Sequence, residues 1–230
     1  MKQIVTIAIV LSRTDFGEAD RILTVMTRDN GKVRLLARGV RKVKSKLAGG
    51  IELFGVNQIS FIVGKGEIRT LTSSRLEKHY KNIVKDVERT MFGYEILKIV
   101  NQATEDAVGA EYFELLDKTL EAIDNQAVDI DLIRLWFYLQ LLKLGGHSPN
   151  LKTDTADNPL DEKQKYTFDF EKMAFALSSG SRYSAQHIKL LRLGLGLKSP
   201  ISLKSINDSS KVTSSCLQLA KSMLEQYVRI

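Results

Sequence analysis

The sequence predicts an α+β protein: a small antiparallel β-barrel over residues 1–80, then an all-helical part over 81–230 with an irregular insert near 148–185. Three observations predict it. Short runs rich in β-branched and apolar residues fill the first 75 or so positions, as half-buried strands do. Glycine-bearing turns separate them with no helical segment between, which favours a small barrel over a layered α/β sheet. Beyond Leu76 the apolar spacing changes from period 2 to period 3.6.

Residues 4–11 (IVTIAIVL) give the first strand; Arg13 and Asp15 follow where a secretory leader would place small residues, so no signal peptide is expected. Residues 22–27 give the second. Asp29-Asn30-Gly31 then marks a hairpin, since Asn and Gly both tolerate positive φ. Over residues 32–39, Val33, Leu35 and Ala37 alternate with Lys32, Arg34 and Arg38, so three cations share the solvent face and Leu36 interrupts it. Residues 41–50 (RKVKSKLAGG) lack periodicity and read as a loop. Residues 51–63 form a long or bent strand, Gly64-Lys65-Gly66 a second turn, and 67–72 the return strand.

In the helical part, Ile83, Val87, Met91, Tyr94 and Leu97 or Lys98 follow helical spacing, widened by Ile96 and Val100. Tyr112, Phe113, Leu115, Leu116, Leu120 and Ile123 mark a second helix. Residues 130–144 (IDLIRLWFYLQLLKL) are apolar almost all round and predict a buried central helix, stopped by Gly145-Gly146. Residues 148–165 read as an irregular connection. Residues 166–177 fit either a short strand pair or a helix. Residues 184–195 and the Val212, Cys216, Ala220, Met223, Tyr227 series predict two last helices.

Charge is unevenly spread. Residues 1–82 hold 16 Lys+Arg against 7 Asp+Glu, and residues 83–230 hold 18 against 20. Seven bases (Lys32, Arg34, Arg38, Arg41, Lys42, Lys44, Lys46) crowd into residues 32–46 with no acid among them. Such charges repel one another, and a polyanion relieves the repulsion. A solvated basic loop is the plain alternative. A composition 43% hydrophobic and 27% charged is globular. One cysteine, Cys216, excludes a disulfide framework and suits a reducing cytoplasm.

Catalytic and metal chemistry finds no pattern. His79, His147 and His187 pair with nothing at i+3 or i+4, and Cys216 has no CxxC partner. Asp154, Asp157, Asp161 and Glu162 lack the central glycine of a calcium loop. Asp129 and Asp131 suit the start of the central helix. In Gly194-Leu195-Gly196-Leu197-Lys198-Ser199 a leucine precedes the lysine, unlike a phosphate-binding loop. No enzyme, metal or cofactor is expected. Nucleic acid remains, bound mainly through phosphates, because the first 75 residues offer only Phe16, Phe54 and Phe61 for stacking. Phe61 fits the core; Phe16 and Phe54 fit either core or surface. Seven phosphate contacts would give a log–log salt slope of about −5 on single strands.

The blocks Gly17-Glu18-Ala19-Asp20, Thr27-Arg28-Asp29-Asn30-Gly31-Lys32, Ala37-Arg38-Gly39-Val40-Arg41-Lys42 and Glu52-Leu53-Phe54, in this order and spacing, resemble the N-terminal half of the bacterial RecO family of recombination-repair proteins. Residues 137–144 with Gly146-His147-Ser148-Pro149-Asn150-Leu151 resemble its buried helix and following turn, His147 replacing an aromatic residue. The resemblance implies an OB-fold barrel and a helical domain. It implies binding of single- and double-stranded DNA, strand annealing, partnership with RecR, and help in loading RecA onto strands coated with single-stranded DNA-binding protein. It also implies contact with that protein's acidic, apolar-ended C-terminal tail, and a cytoplasmic, nucleoid-associated place. It puts Arg38, Arg41, Lys42, Lys44 and Lys46 on the DNA-contacting loop, with Lys32 and Arg34 on the adjoining strand. For the tail, Lys189 and Arg192 beside Leu190, Leu191 and Leu193 are candidates, with Arg134 and Lys143 as rivals. Many members carry a four-cysteine zinc module after the turn, and residues 152–159 have no cysteine. The competing function is an adaptor whose basic barrel docks acidic partner tails.

Overall fold

The N-terminal sheet of the computed structural model grows from one long strand, β1 (Lys2–Phe16). Residues 2–9 pair with β4 (Gly55–Val63), and residues 8–16 pair with β2 (Asp20–Thr27) across a register shift between Val10 and Ser12. β3 (Gly31–Ala37) pairs with β2 through a three-residue connection closed by Gly31 at φ +66°. Only this glycine uses the left-handed region that the Asn-Gly pair offered. β5 (Arg69–His79) pairs with β4, and meets β3 only at Leu35↔Arg69 and Leu36↔Thr70. The strand order is β1-β2-β3-β5-β4, with β4 back on β1. The structure describes residues 2–64, 66–104, 109–205 and 210–228; Lys65 of the expected second turn lies outside them.

Alternation sends Ala8, Val10, Leu23, Val25, Val33 and Leu35 to one inner core with Ile59, Phe61 and Leu71. Three strand boundaries differ from expectation. β1 runs on past Leu11 to Phe16, because Asp20–Thr24 of β2 supply its partners. β5 runs on to His79, because Gly55–Asn57 of β4 supply partners up to that residue. The expected strand over 51–63 is broken at Phe54, whose φ of +60° turns the chain. Phe54 is buried, and its ring meets the Tyr94 ring edge-on at 5.1 Å.

Tyr94 belongs to α1 (Val87–Ala103), which opens where the Asp86 side chain accepts the Arg89 N–H. The expected buried stripe holds at Ile96, Leu97 and Val100 and is displaced at the start of the helix. Val87 and Met91 are 82% and 64% exposed, while Phe92, Gly93, Ile96, Leu97 and Val100 turn inward. The larger apolar set lies about a third of a turn away, and the helix follows it. Ile83 is buried in a 3-10 turn ahead of the helix. α2 (Ala110–Asp124) buries Phe113, Leu116 and Leu120 as expected. α1 packs on β1, and α2 on β1 and β2. The cross-strand partners Ile9 and Met26 on the outer face are therefore fully buried.

These elements form one compact unit, Met1–Asn125; Gln126–Arg229 form a second. In the second, α3 (Ile130–Leu144) is capped by Asp129, whose side chain accepts the Asp131 and Leu132 N–H groups. Helix α3 packs against α4 (Ala185–Gly196) and α5 (Ser210–Tyr227). This unit is not all helical. β6 (Asn150–Asp154), β7 (Thr167–Asp169) and β8 (Ala174–Ala176) make a small sheet in the order β6-β8-β7. The strand pair wins over the helix at 166–177 because Met173, at φ +48°, turns Phe175 back onto Phe168. Among the described residues, no helix is long and apolar enough to cross a membrane.

Gly93 matters because a Cβ there would lie 2.7 Å from Phe54 Cε1. Alanine favours a helix by about 1 kcal/mol, yet overpacking a buried ring costs about 1–3 kcal/mol. Gly93→Ala therefore lowers stability in urea unfolding, against its helix propensity; a stabilised variant would contradict the close approach.

Candidate nucleic-acid interface

Residues 38–50 connect β3 to β4 and carry five of the seven crowded bases. The turn between β1 and β2 holds this loop. The Gly39 N–H donates to Asp20 Oδ1 at 2.7 Å, and the Arg41 N–H donates to the Ala19 carbonyl at 2.9 Å. Gly39 sits at φ +63°, where a side chain would strain the backbone. Asp15 reaches the same place: its Oδ1 accepts Arg21 Nε at 2.7 Å, and its Oδ2 lies 3.5 Å from Arg41 Nε. The hydrogen bond from Arg21 chiefly holds the Asp15 carboxyl below its ordinary range. The two leading sequence blocks are thus one physical object, a turn and the basic loop it pins.

Six of the seven bases are exposed: Arg34, Arg38, Arg41, Lys42, Lys44 and Lys46. Val43, between two of them, is fully exposed at 104%. Lys32 is different. It lies opposite Met26 on the covered part of the outer face, is half-buried, and donates Nζ hydrogen bonds to the Asn101 and Thr104 carbonyls. Those carbonyls end α1, whose last turn contains no base of its own. A cation from the neighbouring strand therefore complements the negative end of this helix. Lys32 serves the fold where a solvent-facing position was expected.

On the open part of the outer face, Thr14, Ile22 and Leu36 are aligned across β1, β2 and β3. Ile22 and Leu36 are half-exposed, and Phe16 at the end of β1 is 54% exposed. Phe54 and Phe61 are core. An apolar strip thus lies beside Arg34 and Arg38. Sequence reading put Leu36 on this solvent face but missed Ile22 and Arg21 as surface features; only the strand register reveals which neighbours they keep.

Of the four cations considered in the helical part, Lys189 and Arg192 line one cleft together, while Arg134 stands apart. Arg134 pairs with Asp131 at 3.0 Å near the start of α3. Lys189 lines a cleft of about 250 Å³ together with Asp161 and Glu162. Arg192 also borders a second cleft of about 470 Å³, walled by Pro149, Leu151, Leu195 and Gly196 with Lys152 at its side. Its guanidinium donates to the Leu151 carbonyl at 2.7 and 2.9 Å, and Lys143 Nζ donates to the Leu195 carbonyl at 3.4 Å. Leu190 and Leu191 are core, so they cannot line a receptor as expected; Leu151 and Leu195 supply the apolar wall.

A four-cysteine zinc module does not fit this chain. Its one cysteine, Cys216, is buried, and among the described residues no three His, Cys, Asp or Glu side chains converge. The segment after β6 is organised by Asp154, which accepts the Ala156 and Asn158 N–H groups at 2.9 Å each. The backbone bond from Asn158 chiefly holds the Asp154 carboxyl below its ordinary range.

Comparison with known proteins assigns most of the chain to one family. Residues 1–80 match the family Recombination protein O N terminal, and residues 84–229 match Recombination protein O C terminal. The DNA repair protein RecO of Desulfatibacillum aliphaticivorans is 35% identical over 154 residues, covering 66% of this chain and 60% of that protein. That of Dehalococcoides mccartyi is 34% identical over 148 residues, 64% of this chain and 58% of its own length. That of Roseiflexus sp. is 36% identical over 147 residues, 64% and 51%. The matched stretch thus spans between half and three fifths of these relatives.

Two outcomes follow from the geometry. Because the Asp15 carboxyl is depressed, its link to Arg21 is intact at neutral pH and is lost only as the pH falls through that lowered value. A carboxyl-resonance titration should place Asp15 below free aspartate, and Arg21→Gln should move it up. Lys32→Met should cost about 1 kcal/mol in urea unfolding by uncapping α1; an unchanged midpoint would show that the lysine plays no structural part.

Proposed function

Because the chain belongs to the RecO family, we propose that it is a non-enzymatic DNA-binding protein of recombinational repair. On this reading residues 1–80 are an OB-fold barrel that binds single- and double-stranded DNA, α1 and α2 pack on it, and the second unit is mainly helical with a small sheet. One observation carries it: six exposed cations, with no acid among residues 30–46, lie on β3 and the loop after it, Arg34 and Arg38 of them beside the open outer face that bears Phe16, Ile22 and Leu36. The return of β4 onto β1 supports the barrel. The β2–β3 face is where OB-folds engage oligonucleotides. Phosphates meet the cations, bases rest on the apolar strip, and no fixed set of base-edge donors imposes a sequence. Cations shared between two strands lower their mutual repulsion, so complementary strands anneal.

The family likeness adds RecR as a partner and the loading of RecA onto strands coated by single-stranded DNA-binding protein, in the cytoplasm at the nucleoid. For that protein's acidic, apolar-ended tail, the cleft between Leu151 and Leu195 offers an apolar wall with Lys143, Lys152 and Arg192 nearby.

A salt titration of fluorescent oligothymidylate binding tests the first reading. Six phosphate contacts, Lys32 being engaged elsewhere, give a log–log slope of about −4. Reversing Arg38 and Lys42 to glutamate should cut affinity more than about tenfold at low salt, while Lys32→Met leaves the slope unchanged. If the reversal spares DNA and abolishes capture of acidic partner peptides, the adaptor function holds. Lys152→Glu should weaken binding of an acidic peptide ending in apolar residues and leave oligonucleotide binding intact; equal binding by both proteins would remove the cleft from the proposal.

A further inference from the structure

The Asp15 carboxylate sits between two guanidiniums at the foot of the basic loop. Its strand partner Arg21 donates Nε to Oδ1 at 2.7 Å, and Arg41 Nε approaches Oδ2 at 3.5 Å. Arg41 is held from behind, its backbone N–H on the Ala19 carbonyl and its Nη1 at 3.4 Å from the Gly17 carbonyl. All three side chains remain solvent-accessible, at 53%, 29% and 38%. The neighbouring Arg13 pairs with Glu52 and adds only a weaker Coulombic pull on Asp15 than Arg21 and Arg41 do.

We propose that Arg21 and Arg41 form a phosphodiester subsite which Asp15 fills in the unliganded protein and yields to a nucleic-acid backbone. This rests on the DNA-binding function above and adds Arg21, which lies outside the basic run. A carboxylate and a phosphodiester both offer two oxygens to a guanidinium fork. The pairing Asp15 makes with two arginines is therefore the pairing a phosphate would make there. The tethers on Arg41 keep its guanidinium in place when the carboxylate leaves. An exposed ion pair is weak enough to be exchanged, and a polyanion that also contacts Arg38 and Lys42 displaces a single carboxylate by multivalency. Asp15 then sets a threshold: isolated anions find the subsite occupied, and long strands open it.

The experiment uses the full chain, oligothymidylate and a glutamate decamer, with thermal midpoints confirming folding. Asp15→Asn should tighten oligothymidylate binding several-fold at low salt and leave the salt slope unchanged, because the strand occupies the subsite in both proteins. Arg21→Gln should weaken binding, and in the Asp15→Asn, Arg21→Gln double variant the gain should shrink. Unchanged or weaker binding by a folded Asp15→Asn protein, with the wild type binding normally, overturns the subsite alone. Equal tightening toward the glutamate decamer overturns its assignment to phosphodiesters. Should the wild-type chain show no salt-dependent binding, both the subsite and the function beneath it fall.

Discussion

Mutual repulsion among closely spaced cations is the constraint around which the N-terminal unit is arranged. Two unit charges 4 Å apart in water cost about 1 kcal/mol, and the loop after β3 concentrates Arg38, Arg41, Lys42, Lys44 and Lys46 within nine residues. The chain meets this cost with the preceding turn. Asp20 takes the Gly39 N–H, the Ala19 carbonyl takes the Arg41 N–H, and Asp15 lies between Arg21 and Arg41. The backbone of the loop is fixed while most of its charge stays uncompensated. A loop held in this way loses less conformational entropy on meeting a ligand than a mobile one would.

Much of this was legible in the sequence, for definite reasons. Period-2 alternation placed Val33, Leu35 and Ala37 inward because β3 is buried on one side only. The all-round apolar run 130–144 became α3 within the expected limits, since Asp129 caps one end and Gly145 begins the other. Conversely, the stripe through Val87 and Met91 was misread because two overlapping apolar series run along α1. Ile96 and Val100 turned inward as expected; spacing alone did not say that Phe92 would take the inward place beside them in Met91's stead. The break at Phe54 was hidden for a similar reason. A phenylalanine at φ +60° gives no local signal, and its cause is a distant glycine, Gly93, that admits the ring.

The candidate site was legible as composition and illegible as partnership. A count of bases in 32–46 finds seven, but their chemistry differs by neighbour. Lys32 is drawn to the carbonyls that end α1, 69 and 72 residues away in sequence, and Arg41 shares a carboxylate with Arg21. Phe16 shows the same limit from the apolar side. A lone aromatic at a strand end fits core or surface equally, until the inner core proves to be filled by Phe61, Leu35 and their neighbours.

The outer face of the sheet explains why one alternating pattern yields two different surfaces. Across β1, β2 and β3 the register aligns Ile9 with Met26 and Met26 with Lys32; two steps of alternation further along lie Thr14, Ile22 and Leu36. All of these belong to the outer set. The first row is buried, on strands that α1 and α2 pack against, and its lysine is spent on a helix terminus. The second row meets solvent, and among the described residues the cations beside it, Arg34 and Arg38, make no ion pair. The frontier falls between Lys32 and Arg34, two residues apart on one strand. Helix packing therefore decides which part of a basic strand is structural and which is left available to a polyanion. A sequence that lengthened α1 toward Arg34 would extend the structural part at the expense of the open one.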